Sequence, residues 1–222
     1  MGWVTLTSFC NTMATILLEP HFLPTLEFYC ALMPFEHIRF EQHEHFVKQT
    51  FRNHTVVRGA NRVEKLVVPL SVKGHRVPLR EVKMEPGLRW RNNHWRTIVS
   101  AYRKSPYFEH YAPELEQCFF EPSGQLVAFN IKLFALSLKW LRWQKEISLT
   151  SNFEKTPDQI SDFRNVVLSK RPFLERMIYS PQPYTQVFGS DFEPNLSILD
   201  VIFCKGPEAA LLLKASATSR PA

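Results

Sequence analysis

Short apolar runs separated by prolines and polar residues occupy the first third of the chain and predict an α/β arrangement. Residues 14–18 are apolar and end at Glu19-Pro20, as a short strand does. Apolar side chains recur at helical spacing within 24–33, and residues 37–40 alternate polar with apolar side chains. A strand, a short helix and a second strand in succession are typical of a βαβ crossover and a parallel sheet.

A further strand is predicted at residues 63–72, which are rich in β-branched side chains. Pro69 lacks a backbone N–H, so it puts this strand at a sheet edge or marks its end.

The middle and last thirds of the chain change to a helical period. A helix is predicted between Pro86-Gly87 and Ser105-Pro106, because the residue before a proline is pushed out of helical geometry. Another is predicted at 125–143, with apolar residues on nearly all sides, as a buried central helix has. The remaining predictions are helices at 113–120, 195–203 and 208–214, a strand at 146–149 and a polar loop at 152–158.

These elements predict the α/β class with one domain over residues 14–214. The sheet is expected to be small, mainly parallel or mixed, and in the N-terminal third, with a helical middle and C-terminal part. Residues 1–13 and 215–222 are expected to be flexible ends. The 222 residues are 45% hydrophobic and 22% charged, a composition that excludes a disordered chain and a fibre.

Positive charge is concentrated in one segment. The net charge is +6 at pH 7, whereas residues 71–104 alone hold nine basic and two acidic side chains. Such a segment is either a solvated basic face or a surface that attracts an anionic ligand.

Cellular location follows from the cysteines and from the apolar runs. The four cysteines are far apart and form no Cys-x-x-Cys pair, which favours a reducing, cytoplasmic setting. The most apolar stretch, 126–141, is interrupted by Lys132 and Lys139, so no membrane span is expected. The first ten residues lack the features of a signal peptide.

Three histidines and three glutamates fall within residues 36–45. In an extended chain His37, Glu41, His43 and His45 would project to one side. Such a face could bind zinc or supply a general base, although the spacing matches no recognised metal motif. A mixed polar strand end or loop is the structural alternative.

Two further groups are suited to anion and sugar recognition. Gln49, Arg52 and Asn53 offer amides and a guanidinium for planar anions and sugar hydroxyls, or else form a hydrogen-bonded edge strand. Arg96 could hold a phosphate or carboxylate in bidentate fashion and His94 could exchange a proton. Tyr102 lies on the apolar side of the same predicted helix, so it is either a core residue or a stacking platform.

Familiar enzyme signatures are absent from the chain. It contains no Gly-x-Gly-x-x-Gly, Walker, Gly-x-Ser-x-Gly or His-Glu-x-x-His motif, and no recognised nucleic-acid motif. Nucleic acid is therefore not the expected partner, although interleaved Arg and Trp leave weak RNA binding as a third alternative.

The chain resembles the bacterial WbqC-like protein family over about residues 16–212. The stretches that carry this resemblance are Phe22-Leu23-Pro24, Glu41-Gln42-His43-Glu44-His45, Lys48-Gln49-Thr50-Phe51-Arg52-Asn53, His94-Trp95-Arg96, Ser105-Pro106-Tyr107-Phe108, Tyr184-Thr185-Gln186-Val187-Phe188 and Pro194-Asn195-Leu196-Ser197-Ile198-Leu199-Asp200.

The resemblance implies a role in the biosynthesis of O-antigen or other surface polysaccharides, with amino-acyl transfer to an amino sugar as the suggested reaction. Residues at motif positions are taken as the candidate site: His43, Glu44 and His94 for catalysis, and Gln49, Arg52, Asn53, Arg96, Tyr102, Asn195 and Asp200 for substrate binding. No metal ligand is assigned and no cofactor is identified. The expected partners are an activated sugar or another anionic ligand, and enzymes of a polysaccharide pathway.

The chain departs from the family pattern at two places. His54 stands where the family usually has arginine, and Cys204-Lys205 stand where it usually has Asn-Glu. The second change replaces a carboxylate with a cation. The alternative function is therefore a non-catalytic binding or scaffold protein of a polysaccharide assembly complex.

Overall fold

A four-stranded parallel sheet and a set of helices confirm the α/β class. The computed structural model describes residues 14–72 and 76–218. The strands are β1 (Thr15–Leu18), β2 (His37–Phe40), β3 (His54–Arg58), β4 (Val63–Val67), β5 (Glu146–Leu149) and β6 (Ser161–Asp162). The helices are α1 (Leu26–Leu32), α2 (Arg89–Tyr102), α3 (Phe108–Phe120), α4 (Leu126–Leu141), α5 (Ile198–Lys205) and α6 (Ala209–Ser216), with short 3-10 turns at Leu79–Glu81, Phe173–Arg176 and Gly206–Glu208.

The parallel sheet has the strand order β5-β2-β1-β6. The crossover from β1 through α1 to β2 agrees with the βαβ prediction, and β1 and β2 pair in parallel from Thr15 opposite His37 to Leu18 opposite Phe40. The sheet begins in the N-terminal third with β1 and β2, and it is extended by β5 from the end of the middle third and β6 from the last third, which pair with β2 and β1 respectively.

A separate antiparallel hairpin joins β3 to β4, with His54 opposite Val67 and Arg58 opposite Val63. Strand β3 was not predicted, although the β-branched Thr55, Val56 and Val57 favour a strand, because the run of β-branched residues is short and follows the polar segment 48–53. Strand β4 ends at Val67, two residues before Pro69, in agreement with the expectation that this proline marks the end of a strand.

The helices confirm most of the predicted helical segments. Helix α3 begins five residues earlier than expected, at Phe108, and contains Pro113. The proline is tolerated because it is exposed, so water can reach the carbonyl that its missing N–H leaves unpaired. None of the helices in the described ranges is long and apolar enough to cross a membrane.

Flexible ends were expected at 1–13 and 215–222. Residues 1–13 and 219–222 lie outside the described part of the chain. Among the described residues 215–218, Ser216 is buried and ends α6, and Ala217 pairs with Tyr179.

One face of the parallel sheet packs against helices. Ile16, Leu18, Ile38 and Phe40 are buried in the hydrophobic core together with residues of α1 and α4. The ring of Phe40, for example, lies 5.2 Å from that of Phe134 in α4. Because strand side chains alternate, the intervening residues, such as His37 and Arg39, lie on the opposite face.

Asn130 connects the buried helix α4 to the loops on either side of the site described below. It is 1% exposed, and its amide nitrogen donates hydrogen bonds to the backbone oxygens of Pro20 (3.0 Å) and Arg52 (2.7 Å). One side chain therefore positions the segment that follows β1 and the segment that precedes β3.

We expect Asn130→Ala to lower the free energy of unfolding by about 1–3 kcal/mol, because two buried carbonyl groups lose their hydrogen-bond donor. The control is Asn92→Ala, an exposed asparagine in α2, where the change is expected to be neutral or slightly stabilising because alanine favours helix. Urea denaturation at pH 7 measures both. Equal effects of the two substitutions would contradict the role of Asn130.

Candidate functional site

Polar residues follow the strands of the parallel sheet at the edge where the strands end. Glu19 follows β1, Glu41 follows β2 and Thr150 follows β5. Arg164 lies two residues beyond β6. In open α/β sheets ligands bind at this carboxyl edge, so a functional site is expected there.

Arg52 lies at the centre of this edge, with its side chain entirely buried. Its Nε donates to Oε1 of Glu44 at 3.1 Å, and its Nη2 contacts the same oxygen. Nη2 also lies 3.3 Å from Oε1 of Glu19 and donates to Oδ1 of Asn165 at 3.0 Å. The backbone N–H of Asn165 in turn donates to Glu19 at 3.0 Å. Two carboxylates thus balance one buried guanidinium.

Glu41 fixes the turn that follows β2. Its Oε1 accepts hydrogen bonds from the backbone N–H of His43 (2.6 Å) and Glu44 (3.3 Å), and from the hydroxyl of Thr150 (3.1 Å). Its Oε2 lies 3.4 Å from Nη1 of Arg164. The carboxylate of Glu41 therefore links three chain segments and aims the backbone so that Glu44 reaches Arg52.

We call this group the carboxyl-edge cluster and define it by its members, Glu19, His21, Glu41, Glu44, Arg52, Arg164 and Asn165. It brings together two of the predicted site residues, Glu44 and Arg52, with five that were not assigned to the site. Position alone could have found Glu19 and Glu41, because each directly follows a predicted strand of a parallel sheet.

Two glutamates of the cluster have pKa values that move in opposite directions. Burial alone would raise the pKa of Glu19, but its interaction with His21 and the positive charge of Arg52 outweigh burial and lower the pKa to about 2. Burial raises the pKa of Glu44 above its ordinary value, against the opposing charge of Arg52. The side chain of Glu44 is also the most accessible of the three glutamates, at 11% against 2% for Glu19 and 0% for Glu41. Two carboxyl groups in one site whose pKa values differ in this way can act as a general acid and a general base.

His43 borders the cluster and has both ring nitrogens occupied. Nη1 of Arg80 donates to its Nδ1 at 3.0 Å, and its Nε2 lies 3.0 Å from the backbone oxygen of Thr150. The guanidinium of Arg80 can only donate a hydrogen bond, so Nδ1 of His43 accepts it and the imidazole hydrogen is on Nε2. Both nitrogens hold structural hydrogen bonds, which leaves Glu44 as the better base of this pair.

A groove of about 310 Å³ opens on the polar face of the parallel sheet. Its floor includes His37 and Arg39 of β2 and Ser148 of β5, and its wall is part of the loop 151–160. Glu41 and Thr150 line the groove as well as contacting the cluster. We call this space the sheet groove. It gives a ligand a path to the edge of the buried cluster.

Arg39 places a positive charge in the sheet groove. Within the described residues its guanidinium has no ion-pair partner, in contrast to Arg52 and Arg164. A guanidinium without a carboxylate partner can bind phosphate or carboxylate in bidentate geometry.

The structure separates His94 from the cluster. His94 is buried in α2 among aromatic rings, with ring centroids 5.3 Å from Trp90, 6.2 Å from Phe22 and 6.4 Å from Phe119. Burial lowers its pKa to about 4. It is a neutral core histidine at pH 7, and this position gives no support to the catalytic role that the family motif implied.

The described residues of the basic segment, 71–72 and 76–104, do not form one surface. Arg96 is exposed and lines a separate shallow groove of about 690 Å³ beside the turn between β3 and β4. Arg91 is buried, and it donates to the backbone oxygens of Glu121 (3.1 Å) and Ser123 (3.0 Å), just after the end of α3. There the guanidinium satisfies carbonyl groups that a helix end leaves unpaired.

Tyr102 and Asp200 belong to a second buried group, near α5. The hydroxyl of Tyr184 (2.6 Å) and the amide of Gln186 (2.8 Å) donate to Oδ2 of Asp200. Burial raises the pKa of Asp200, and burial together with the nearby charge of Asp200 raises the pKa of Tyr102.

Cys204 adjoins the same group. Burial, and to a smaller extent the charge of Asp200, raises the pKa of the Cys204 thiol to about 12. The departure from the family pattern at Cys204 therefore lies outside the carboxyl-edge cluster.

Asn195 holds the beginning of α1. Its Oδ1 accepts a hydrogen bond from the backbone N–H of Glu27 at 2.9 Å. The carboxylate of Glu27 is fully buried and forms a bidentate pair with Arg176, with distances of 2.5 and 2.6 Å. The contacts of Asn195 are thus those of a structural residue.

Gln49 and Asn53 line a third groove, of about 480 Å³, whose walls are largely hydrophobic. The amide of Asn53 donates to the backbone oxygen of Val68 at 3.2 Å, so it also joins the two arms of the hairpin. His54, the other departure from the family pattern, lines this groove too. Burial lowers the pKa of His54 to about 4.

Metal binding has no support in the described parts of the chain, where no three His, Cys, Asp or Glu side chains are grouped suitably for an ion. The histidines of 36–45 do not remain on one strand, because β2 ends at Phe40 and the chain turns at Glu41. Strand geometry therefore no longer aligns His43 and His45 with His37.

Comparisons with known proteins identify relatives of this chain. The model of the WbqC-like protein family matches residues 19–171 and 168–211. Uncharacterized protein Rv1507c of Mycobacterium tuberculosis is 22% identical over 190 residues, covering 74% of this chain and 81% of that protein. No solved structure matches the chain.

Arg52→Met is expected to lower the free energy of unfolding by about 3–5 kcal/mol, because it leaves the buried carboxylates of Glu19 and Glu44 without their cation. The matched control, Arg96→Met on the exposed face of α2, should change it by no more than about 0.5 kcal/mol. Guanidinium denaturation measures both variants. A similar small effect at the two positions would show that Arg52 does not balance buried charge.

Acidification should destabilise the protein partly through His94. Its folded pKa of about 4 lies below the ordinary value of 6.5, so between these pH values the unfolded chain binds a proton that the folded chain does not. Stability therefore falls as the pH drops through this window. Between pH 7 and pH 5, His94→Phe should reduce this loss by about 1–2 kcal/mol, measured by urea denaturation at both pH values. An unchanged pH dependence would contradict the neutral, buried state of His94.

Proposed function

The chain belongs to the WbqC-like protein family, and from this premise we propose that it is a transferase of bacterial surface-polysaccharide (O-antigen) biosynthesis. Its substrate is an activated sugar, and the reaction is the transfer of an amino-acyl group to the amine of that sugar. The step takes place in the cytoplasm. In support of a reducing compartment, Cys30, Cys118 and Cys204 are all free thiols.

The observation that carries this proposal is the continuity between the carboxyl-edge cluster and the sheet groove. Glu41 and Thr150 belong to the lining of the groove and also contact each other beside Glu44. A ligand in the groove would thus approach a buried set of carboxylates whose positions are fixed by hydrogen bonds. Fixed, partly desolvated groups are what acid and base catalysis requires.

Glu44 is the proposed general base. Acyl transfer to nitrogen needs a neutral amine, and the amine of an amino sugar is largely protonated in water. A carboxylate is a stronger base when its pKa is raised, and burial raises that of Glu44. Arg52 orients the carboxylate through the Nε contact at 3.1 Å, so it is a positioning residue rather than a direct ligand of the substrate.

Arg39 is the proposed contact for the anionic part of the substrate. It lines the sheet groove, and its charge is not used by an ion pair within the described residues. Arg52, which the family motif suggested for this role, is fully buried and already balanced by Glu19 and Glu44. Arg96 remains a second candidate, in a groove of its own.

A non-catalytic scaffold is the second candidate function. It is favoured by the hydrophobic lining of the third groove, where Val67 stands 44% exposed beside Val68, Pro69 and Leu70. Apolar surface of this kind is typical of contact with another protein. Co-purification of a polysaccharide-pathway enzyme, with no turnover of any activated sugar, would favour this alternative.

Titration calorimetry with a panel of nucleotide-linked amino sugars tests the proposal. We expect at least one to bind, Arg39→Ala to weaken its binding by roughly tenfold or more through loss of a charge-assisted contact, and Arg96→Ala to leave it unchanged. Glu44→Gln is expected to retain binding but to lower acyl transfer by about 10²–10⁴-fold.

If nucleotide-sugar binding is lost in Arg96→Ala and kept in Arg39→Ala, the substrate binds at the groove beside α2 and not in the sheet groove. Full transfer by a folded Glu44→Gln variant would exclude Glu44 as the base.

A further inference from the structure

A hydrogen-bonded chain of three side chains crosses the polar face of the parallel sheet. Nε2 of His37 lies 2.7 Å from the hydroxyl oxygen of Ser148. Nδ1 of the same ring lies 3.3 Å from the hydroxyl oxygen of Thr15. Thr15, His37 and Ser148 belong to the adjacent strands β1, β2 and β5, so the sheet itself sets their spacing.

The register between β2 and β5 places Arg39 on the same face of the sheet as His37 and Ser148. In the pairing of β2 with β5, Arg39 stands directly opposite Ser148. Paired residues of neighbouring strands point to the same face, so the side chains of Arg39 and Ser148 project from the same side of the sheet. His37, Arg39 and Ser148 all line the sheet groove, which a ligand can enter from solvent.

This arrangement has the parts of an activated nucleophile. A serine hydroxyl is a weak nucleophile unless a base within hydrogen-bond reach accepts its proton, and 2.7 Å is within that reach. With Nε2 as the acceptor, the ring carries its hydrogen on Nδ1 and donates it to Thr15, which orients the imidazole. The nearby Arg39 is suited to stabilise negative charge on a carbonyl oxygen under attack.

We infer that Ser148 is an acyl-accepting nucleophile with His37 as its base, and that the protein transfers an acyl group through a seryl ester. The inference rests on the proposed acyl-transfer function and adds a covalent intermediate and a donor class to it. The donor is an activated acyl compound, a thioester or an ester, with its carbonyl group in the sheet groove.

In the first half-reaction Oγ of Ser148 attacks the carbonyl carbon and an O–C bond forms. His37 takes the hydroxyl proton at Nε2 and passes it to the departing thiol or alcohol as the bond from carbon to sulfur or oxygen breaks.

In the second half-reaction Glu44 first removes a proton from the ammonium group of the sugar. The neutral amine attacks the ester and a C–N bond forms. His37 takes the remaining amine proton and returns it to Oγ of Ser148 as the ester bond breaks. Glu44 then releases to solvent the proton that it took from the ammonium group. This restores the enzyme, and no oxidant or reductant is required.

Thr15 is a neutral partner of the imidazole, whereas catalytic triads place a carboxylate there. The imidazolium that forms is therefore less stabilised than in a triad. We accordingly expect acylation by a simple ester to be slow, and a measurement of the covalent product is more informative than a measurement of turnover.

The test uses the full chain and p-nitrophenyl acetate as the acyl donor. Intact-mass spectrometry and peptide mapping should find one acetyl group on Ser148, with release of p-nitrophenolate. Ser148→Ala should abolish this labelling. His37→Gln, which keeps a polar side chain but removes the base, should slow it by about 10²–10⁴-fold.

Ser151→Ala is the matched control. Ser151 also lines the sheet groove and is exposed, but its hydroxyl donates to Asn152 at 2.9 Å rather than to a histidine. Labelling should persist in this variant. Unchanged urea midpoints for all three variants would establish that each is folded.

Acetylation that survives in Ser148→Ala, or that proceeds at the parent rate in His37→Gln, would overturn the inference. Absence of any acetyl-Ser148 in a parent protein that binds a nucleotide-linked amino sugar would also overturn it, while leaving the transferase proposal as direct transfer to the amine. Acetyl-Ser148 in a protein that binds no nucleotide sugar would support the serine–histidine pair and count against the proposed substrate.

Discussion

The positive charge of Arg52 must be neutralised inside the protein, and much of the sheet edge is arranged around that requirement. A guanidinium without exposed surface costs several kcal/mol unless carboxylates and hydrogen bonds replace water. Glu19 meets this need from the end of β1, and Glu44 meets it from the turn after β2. Asn165 adds a hydrogen bond of 3.0 Å from the segment after β6. One buried side chain thereby ties together three segments that the sequence keeps far apart.

The sheet is the second constraint on where the candidate site lies, because only one of its faces packs against helices. The residues that point to the core, among them Ile38 and Phe40, are hydrophobic. Those that point the other way, including His37, Arg39 and Ser148, form the floor of a groove. In a sheet covered by helices on both faces these positions would be apolar as well. Polar side chains on the open face and buried charge at its carboxyl edge together give the molecule its candidate site.

Several family-motif residues support the structure instead of forming the site. Asp200 is held by Tyr184 and Gln186, and Asn195 holds the start of α1. His94 fills an aromatic cluster in the core. A buried polar residue needs specific partners as strictly as a catalytic residue does, so a motif position does not by itself distinguish the two roles.

Local pattern predicted most of the elements and two members of the carboxyl-edge cluster. A short apolar run predicted β1, the alternation of polar and apolar residues predicted β2, and the helical period predicted α2 and α4. The motif at 43–53 identified Glu44 and Arg52, which are close in sequence and form an ion pair. Short-range spacing could not show that Glu19, Arg164 and Asn165 join them, or that His94 does not. Only tertiary structure decided these points, because a buried charge selects its partners by distance in space, and the partners of Arg52 are contributed by loops that meet where parallel strands end.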